Sequence, residues 1–199
     1  MARMRHVTGV LGCAAVMLSS ARVVAAQGTP SGQRAGFWYS VGVGEGWARV
    51  SCNICRADHQ PGLSAHLRLG GGLSRTVLIA GEVAAWRRNV NGVRQSLASV
   101  GAAAYWYPGR RPSPFYLKGG IGYVTHHADD GTDAITSTGL GPQLGAGYEL
   151  PVSRSMMLAP YFNVAYGSLF GGVKFNGAQA VDHATVTLIQ VGVALAGRP

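Results

Sequence analysis

The chain has 199 residues, of which 30 are glycine, with 47% hydrophobic and only 13% charged residues and a formal net charge of +9 at pH 7. Soluble domains carry roughly 25% charged residues, so this apolar, charge-poor composition excludes a disordered chain and a coiled coil rich in Glu and Lys. The glycines do not recur at every third position, which excludes collagen, and the length fits one domain.

The first residues have the features of a secretory signal peptide. Arg3 and Arg5 precede an apolar run at 7–18 that is too short to span a membrane, and small residues ending at Ala26 follow it. We therefore predict cleavage after Ala26. The predicted organisation is a signal peptide at 1–26, a flexible polar leader at 27–35 and one folded domain at 36–199.

Two cysteines remain after this cleavage, Cys52 and Cys55. An exported protein meets an oxidising compartment, which favours a disulfide between them over a metal half-site. No second cysteine pair is present to complete a zinc site, and no histidine follows Cys55 as covalent haem attachment requires. We expect a structural disulfide and no cofactor.

The domain shows alternation of polarity with a period of two residues, which is typical of strands, and no helical periodicity. In the second segment, for example, Leu67 and Leu69 oppose His66 and Arg68. Each segment is long enough for a tilted strand to cross a bilayer. We predict eight strands, at 36–46, 62–73, 77–88, 96–107, 115–126, 139–150, 156–168 and 185–196.

The connections between these strands alternate in length. Residues 74–76, 108–114 and 151–155 form short turns that contain arginine and no acidic residue. The connections that carry every aspartate of the chain are mostly longer, and they lie at 47–61, 89–95, 127–138 and 169–184. Short turns at one end and long loops at the other are the pattern of an outer-membrane barrel.

Aromatic residues lie near the two ends of the predicted strands, as expected for rings that prefer the two membrane interfaces. We predict that they form two girdles. The members are Phe37, Tyr39, Trp106, Phe115, Tyr148 and Phe162 near the short turns, and Trp86, Tyr123 and Tyr166 near the long loops.

Backbone groups in hydrocarbon must be paired within the protein, so a membrane location requires these strands to close into a barrel. Side chains fill the lumen of a barrel with about eight strands. The polar positions on the inward face contain two bases and two acids, and we expect them to form a hydrogen-bonded network that leaves no open general pore. They are His66, Arg68, Glu82, Lys118, Gln143, Glu149, Asn163 and Gln190.

Two prolines do not fit the assignment of these segments as strands. Pro142 and Pro160 lie inside predicted strands, where each removes a hydrogen bond of the ladder. We expect both to lie near a rim of the barrel, where bulges are common.

At this point the chain, from 36 to 196, resembles the small eight-stranded outer-membrane barrels of the opacity-protein and outer-membrane-protein-A type. The resemblance is carried by strand count, loop lengths and Gly-aromatic strands such as FYLKGGIGY at 115–123 and GAGY at 145–148. It implies an all-β, closed, antiparallel up-and-down transmembrane barrel in the bacterial outer membrane. It also implies recognition by the barrel-assembly machinery, which reads a terminal aromatic residue in such barrels; here Leu195 is expected to take that place.

Three groups of residues are candidate chemical sites. The His126–Asp133 segment could bind a divalent cation, but its spacing does not match an EF-hand and a solvated loop is the expected interpretation. His66, Arg68 and Glu82 could form an acid–base set, but a salt bridge in the lumen is expected instead. Lipid A deacylases share this size, but no histidine here begins their His-x-Ser pair, so no enzymatic activity is expected.

The expected function is therefore a structural or surface-interacting one: membrane integrity, adhesion or environmental contact through the long loops of a monomer. Expected partners are outer-membrane lipid and the phosphates of lipopolysaccharide, bound by Arg49, Arg56 and Arg94; nucleic acid is not one, since no basic stretch with interleaved aromatics occurs. The alternatives are a soluble periplasmic barrel that binds a small apolar ligand, as lipocalins do, and a narrow solute channel.

Overall fold

The computed structural model describes residues 36–52, 58–109, 113–153 and 155–197. The predicted signal peptide and leader lie outside these residues. Within them the chain forms eleven β-segments and no helix, with the following bounds: β1 Phe37–Cys52, β2 Gln60–Gly72, β3 Val77–Val90, β4 Val93–Trp106, β5 Phe115–Asp129, β6 Ala134–Tyr148, β7 Leu150–Pro151, β8 Met156–Gly167, β9 Leu169–Phe175, β10 Ala178–Val181 and β11 Ala184–Gly197.

The segments form one closed antiparallel barrel of eight strands. Each of β1 to β5 pairs with the next, β8 pairs with β6 and β11, and β11 pairs with β1 to close the ring. The short β7 continues the line of β6 alongside β8, and β9 continues β8 alongside β6. Closure leaves none of the eight strands as a free edge, which is the condition for a sheet in lipid.

The predicted strands are confirmed, but most of them extend further than predicted at the end that carries the predicted long loops. The predicted connection at 89–95 was wrong: β3 and β4 run on to a two-residue turn at Asn91 and Gly92, whose φ values of 52° and 83° are those of a type I′ hairpin. The predicted loop at 169–184 likewise contains β9 and β10, joined by a turn at Asn176 and Gly177. These extensions were missed because polar strands outside a membrane lose the alternation of hydropathy.

The outer surface of the barrel is apolar on every one of the eight strands. One exposed hydrophobic residue from each is, in chain order, Val41, Leu67, Val83, Val100, Ile121, Leu144, Phe162 and Val193. Charged residues of this outer face lie toward the extended end, where Glu45, Arg49, Arg87 and Arg94 are exposed. No helix long and apolar enough to cross a membrane is found in the described part of the chain.

Large side chains pack inside the barrel in two apolar clusters. The cluster nearer the termini contains Trp38, Leu78, Tyr105, Tyr116 and Met157 among others, and all of these are at most 3% exposed. The cluster toward the extended end contains Trp86, Leu97, Val124, Val186 and Leu188. Polar side chains occupy positions between these clusters along the strands, so the lumen is a packed core.

Both prolines lie along one seam of the barrel, between β6 and β8. The pairs of this seam run only from Gln143 and Ala165 to Gly147 and Tyr161, and each proline falls just beyond one end of that ladder. Residues two apart in a strand direct their N–H and C=O groups to the same neighbour. The Leu140 carbonyl accepts from the N–H of Ser168, the residue that follows β8, at 3.1 Å. The N–H that Pro142 lacks would therefore point to this same seam.

The position expected for Pro142 was therefore wrong. It lies well inside β6 rather than near a rim, because β6 begins at Ala134. A register shift between Thr138 and Leu140 accompanies it, and the ladder stops where the donor is missing.

Candidate functional site

A cluster of three charged side chains lies inside the barrel. Lys118 on β5 donates to Glu82 Oε2 at 2.5 Å, and Arg68 Nε on β2 lies 3.5 Å from Glu82 Oε1. All three residues are at most 7% exposed. Arg68 and Glu82 are directly opposed in the β2–β3 register, and this pairing is what brings them together. One carboxylate thus balances two cations in a place that excludes bulk water.

Three tyrosines contact this cluster, and a fourth, Tyr107, packs against the ring of Tyr116. The Tyr105 hydroxyl donates to Glu82 Oε1, and the Tyr116 hydroxyl accepts from Arg68 Nη1 at 3.3 Å. The Arg68 guanidinium also lies 5.6 Å from the ring centroid of Tyr105 and 5.4 Å from that of Tyr161, within the range of cation–π attraction. Tyr107 donates to Glu149 Oε1 at 2.7 Å.

The other predicted lumen residues are buried as well, but they do not join this ion cluster. Gln143, Asn163 and Gln190 are at most 4% exposed, and Asn163 and Gln190 oppose each other in the β8–β11 register. His66 meets the Tyr161 ring edge-on at 4.5 Å, and neither of its ring nitrogens has a hydrogen-bond partner among the described residues. The structure therefore pairs Arg68 with Glu82 and leaves His66 beside them, without an acid–base set.

Glycine on the inward face makes room for these side chains. A Cβ at Gly42 would lie 2.3 Å from the His66 ring, and a Cβ at Gly122 would lie 1.9 Å from Gln143 Nε2. A larger residue at either position would displace the polar side chain opposite. The inward glycines are thus spaces that the polar network fills.

Eight of the nine predicted girdle residues are exposed on the outer face, with exposed fractions from 37% for Phe115 to 67% for Phe37. Trp86 was wrongly assigned to this girdle. It is 1% exposed and points into the lumen, where its Nε1 donates to the Gly46 carbonyl at 2.9 Å. The reason is parity: Trp86 stands four residues after Glu82 on the same strand, so the two must share a face.

Four tyrosines that face the lumen were not predicted from the sequence: Tyr105, Tyr107, Tyr116 and Tyr161. The same parity rule identifies them, because Tyr105 and Tyr107 flank the outward Trp106, and Tyr116 lies between the outward Phe115 and Leu117. Aromatic residues near strand ends occur on both faces of the barrel, and only the alternation along the strand shows which face each one occupies.

The segment considered as a metal site, His126–Asp133, comprises the last residues of β5 and the turn that joins β5 to β6. The Asp130 carboxylate accepts from the backbone N–H groups of Thr132 and Asp133, and these hydrogen bonds hold the pKa of Asp130 below its ordinary value. In the described ranges, no group of three or more His, Cys, Asp or Glu residues is arranged to hold a metal ion. Cys52 ends β1, while Cys55 lies outside those ranges, so the Cys52–Cys55 disulfide stays a prediction.

Comparison with known proteins identifies the fold. No protein-family model and no curated protein sequence matches the chain. Among solved structures, the chain is similar to Neisserial surface protein A, with a TM-score of 0.58 and 16% identity over 82% of this chain and 99% of that one. Two further similar structures have lower scores. The attachment invasion locus protein of Yersinia pestis has a TM-score of 0.49 and 14% identity over 80% and 97% of the two chains. OprG from Pseudomonas aeruginosa has a TM-score of 0.42 and 12% identity over 81% and 96%. The first of these similarities, together with the closed ring of eight strands, shows that the chain has the fold of the small eight-stranded outer-membrane barrels.

Proposed function

We propose that this protein is an integral barrel of the bacterial outer membrane with a structural or surface-interacting role and a sealed lumen. The observation that supports this proposal is that the barrel is apolar on the outside and has charged side chains inside. Apolar side chains cover the outside of every strand, while Arg68, Glu82 and Lys118 are buried inside. A soluble barrel that carried an apolar ligand would have these faces reversed, because its outer face would meet water.

The outer apolar surface has the form that a bilayer requires. Its aromatic borders include Phe37 and Trp106 at one end and Tyr123 and Tyr166 at the other, at the levels where headgroups would lie. The termini of the barrel and the short turns share one end, since Tyr39 pairs with Gly197. We assign that end to the periplasm and the strand extensions to the cell exterior.

The packed lumen favours a structural role over conduction. Trp86, Leu97 and Val124 are at most 2% exposed at one level, and Trp38, Leu78 and Tyr105 are equally buried at the other. Ions would have to displace these apolar layers and the ion cluster between them. We therefore propose a monomer that is neither an open pore nor an enzyme, inserted by the barrel-assembly machinery and anchored by lipid.

Contact with lipopolysaccharide phosphates belongs to this proposal, through the exposed Arg49 and Arg94. Arg56, which the sequence analysis added to this set, lies outside the described residues. Guanidinium groups suit phosphate because they donate paired hydrogen bonds.

The test is heat-modifiable migration in outer-membrane fractions, in which a folded barrel runs at a different position on a denaturing gel from the boiled chain. We expect one band before boiling and one band at a different position after it, and a purified protein that needs detergent. A purified chain that stays folded and soluble without detergent would overturn the membrane assignment. Steady single-channel conductance in planar bilayers would overturn the sealed lumen and favour the channel alternative.

A further inference from the structure

A groove of about 520 Å³ lies on the outside of the barrel, toward the extended end. Cavities of roughly 300–1,000 Å³ are the usual size of small-molecule sites. Its wall crosses β5, β6, β9 and β10. The lining residues are Tyr123, Thr136, Thr138, Phe170, Gly171, Gly172, Lys174, Gln179, Asp182 and His183.

Strand register shows that this groove faces outward. Ser137 and Val173 oppose each other and are buried on the lumen side, so their neighbours Thr136 and Lys174 oppose each other on the outer face. Tyr123, a member of the aromatic border, belongs to the same wall. An occupant would therefore reach the groove from the level of the lipid headgroups rather than through the lumen.

The polar part of the lining suits a phosphorylated sugar. Lys174 is exposed, and none of the ion pairs within the described ranges involves it. The Thr138 hydroxyl can donate or accept hydrogen bonds. The Thr136 hydroxyl lies 3.1 Å from His127 Nδ1, and Gln179 Nε2 donates to the Val181 carbonyl at 2.8 Å, but each group has capacity for a further hydrogen bond. Asp182 and His183 stand beyond β10, where a carboxylate can accept from sugar hydroxyls.

Phe170 presents an exposed aromatic ring at the wall of the groove. It adopts φ of 53°, a left-handed conformation that is strained for a bulky residue, and its side chain is 91% exposed. Exposure of the ring to water costs free energy, which apolar contact with a ligand would recover. Together with Tyr123 it provides apolar contact for the face of a sugar ring or the start of an acyl chain.

The groove also depends on two consecutive glycines that differ in tolerance. A Cβ at Gly171 would meet the Ala184 carbonyl oxygen at 2.3 Å, so this position cannot take a side chain. A Cβ at Gly172 would instead meet the Gln179 side-chain nitrogen at 2.6 Å and the Val181 carbonyl oxygen at 3.1 Å. The Gln179 amide can move by giving up its hydrogen bond to Val181, and the backbone oxygen need give by only a few tenths of an ångström. Gly172 is thus a position where the groove can be filled with little movement of the backbone.

We propose that this groove binds the phosphorylated glucosamine headgroup of lipopolysaccharide, with Lys174 on a phosphate and Phe170 and Tyr123 against the sugar and proximal acyl carbons. The inference rests on the proposed function, because it needs the extended end to lie at the outer leaflet. It adds a specific lipid contact at the groove, which neither Arg49 nor Arg94 lines.

The test measures binding of rough-type lipopolysaccharide to the full folded chain in detergent micelles, by native mass spectrometry or fluorescence titration. We expect Lys174→Gln to weaken binding about tenfold, as the loss of one charge-assisted hydrogen bond implies. We expect Gly172→Val, which fills the groove, to weaken it at least as much. The matched controls are Arg87→Gln, which removes another exposed cation of the outer face, and Gly119→Val, at a strand position where an added Cβ meets nothing within 4 Å. Both controls should bind as the parent chain does.

Dephosphorylated lipopolysaccharide separates the phosphate contact from the rest. With this probe the parent chain and Lys174→Gln should bind equally weakly, while Gly172→Val should still reduce binding further. Equal binding by the parent chain, Lys174→Gln and Gly172→Val to the intact lipid would overturn the groove proposal. Equal weakening by Lys174→Gln and Arg87→Gln would overturn it in favour of diffuse surface attraction.

Heat-modifiable migration of every variant distinguishes these outcomes from a failure to fold. A parent chain that forms no heat-modifiable barrel would overturn the proposed function, and this inference with it. Folded variants that bind as the parent does would overturn only the groove.

Discussion

Neutralising Glu82 is the sharpest test of the lumen. In Glu82→Gln, the cations of Arg68 and Lys118 lose the only carboxylate within 4.0 Å of either among the described ion pairs. Both cations are at most 6% exposed, so water cannot replace it. Removal of one member of a buried ion pair costs about 3–5 kcal/mol, and we expect a loss in this range.

The comparison is Lys118→Met, which keeps the Arg68–Glu82 pair and the hydrogen bond from Tyr105. Its cost should be about 1–3 kcal/mol, the value of a charged hydrogen bond. The double variant should be more stable than Glu82→Gln alone, because it buries one uncompensated cation instead of two. The assay is equilibrium urea unfolding in micelles, followed by tryptophan fluorescence. Equal costs for the two single variants, or strictly additive costs in the double variant, would refute the shared-carboxylate reasoning.

Three further predictions concern other parts of the barrel. In single-tryptophan variants, brominated lipid should quench the fluorescence of Trp106 on the outer face and leave that of Trp86 in the lumen unquenched. Comparable quenching of both would show that Trp86 faces the lipid, as a girdle residue does. The lowered pKa of Asp130 means that its contribution to the β5–β6 turn is present above the pKa of an unfolded aspartate, about 3.9, and is lost as pH falls through the lower folded-state pKa. The protection factors of the turn amides, which correct for the intrinsic pH dependence of amide exchange, should therefore fall at acid pH in the parent chain and change little with pH in Asp130→Ala. Asn176 donates to Asp133 at 2.9 Å and accepts from the Ala134 N–H at 2.8 Å, so Asn176→Ala should raise the exchange rate at Ala134, and an unchanged rate would show that the two turns are independent.

Much of the fold could be predicted because lipid and lumen impose opposite requirements on alternate residues. Leu67 and Leu69 face outward and His66 and Arg68 inward, as the alternation in the sequence indicates. To predict which inward side chains contact one another, the strand register is needed as well. Only the β2–β3 pairing brings Glu82 to Arg68, and nothing local in either strand specifies it.

The features that were not predicted lie where the two faces of a strand have similar surroundings. Above the lipid level both faces of a strand meet polar surroundings, so the extensions of β3 and β4 carry no hydropathy signal. The Asn91–Gly92 pair is nevertheless a strong hairpin signal in the sequence, and it marks this turn. The outer groove was missed for a different reason, since it depends on the left-handed backbone of Phe170 and on a hairpin beside β6.

The ladder between β1 and β11 has a consequence for how this chain folds. It joins Tyr39–Cys52 to Ala184–Gly197, segments that stand almost the whole domain apart in the sequence. Neighbouring strands such as β5 and β6 are hairpins whose ends meet at little entropic cost, whereas this ladder must close a loop that contains all the others. Until it does, β1 and β11 each present an unpaired edge to lipid or to other chains. We therefore expect slow, all-or-none folding in which hairpins precede closure, and a nascent chain that needs chaperone protection until its last strand arrives.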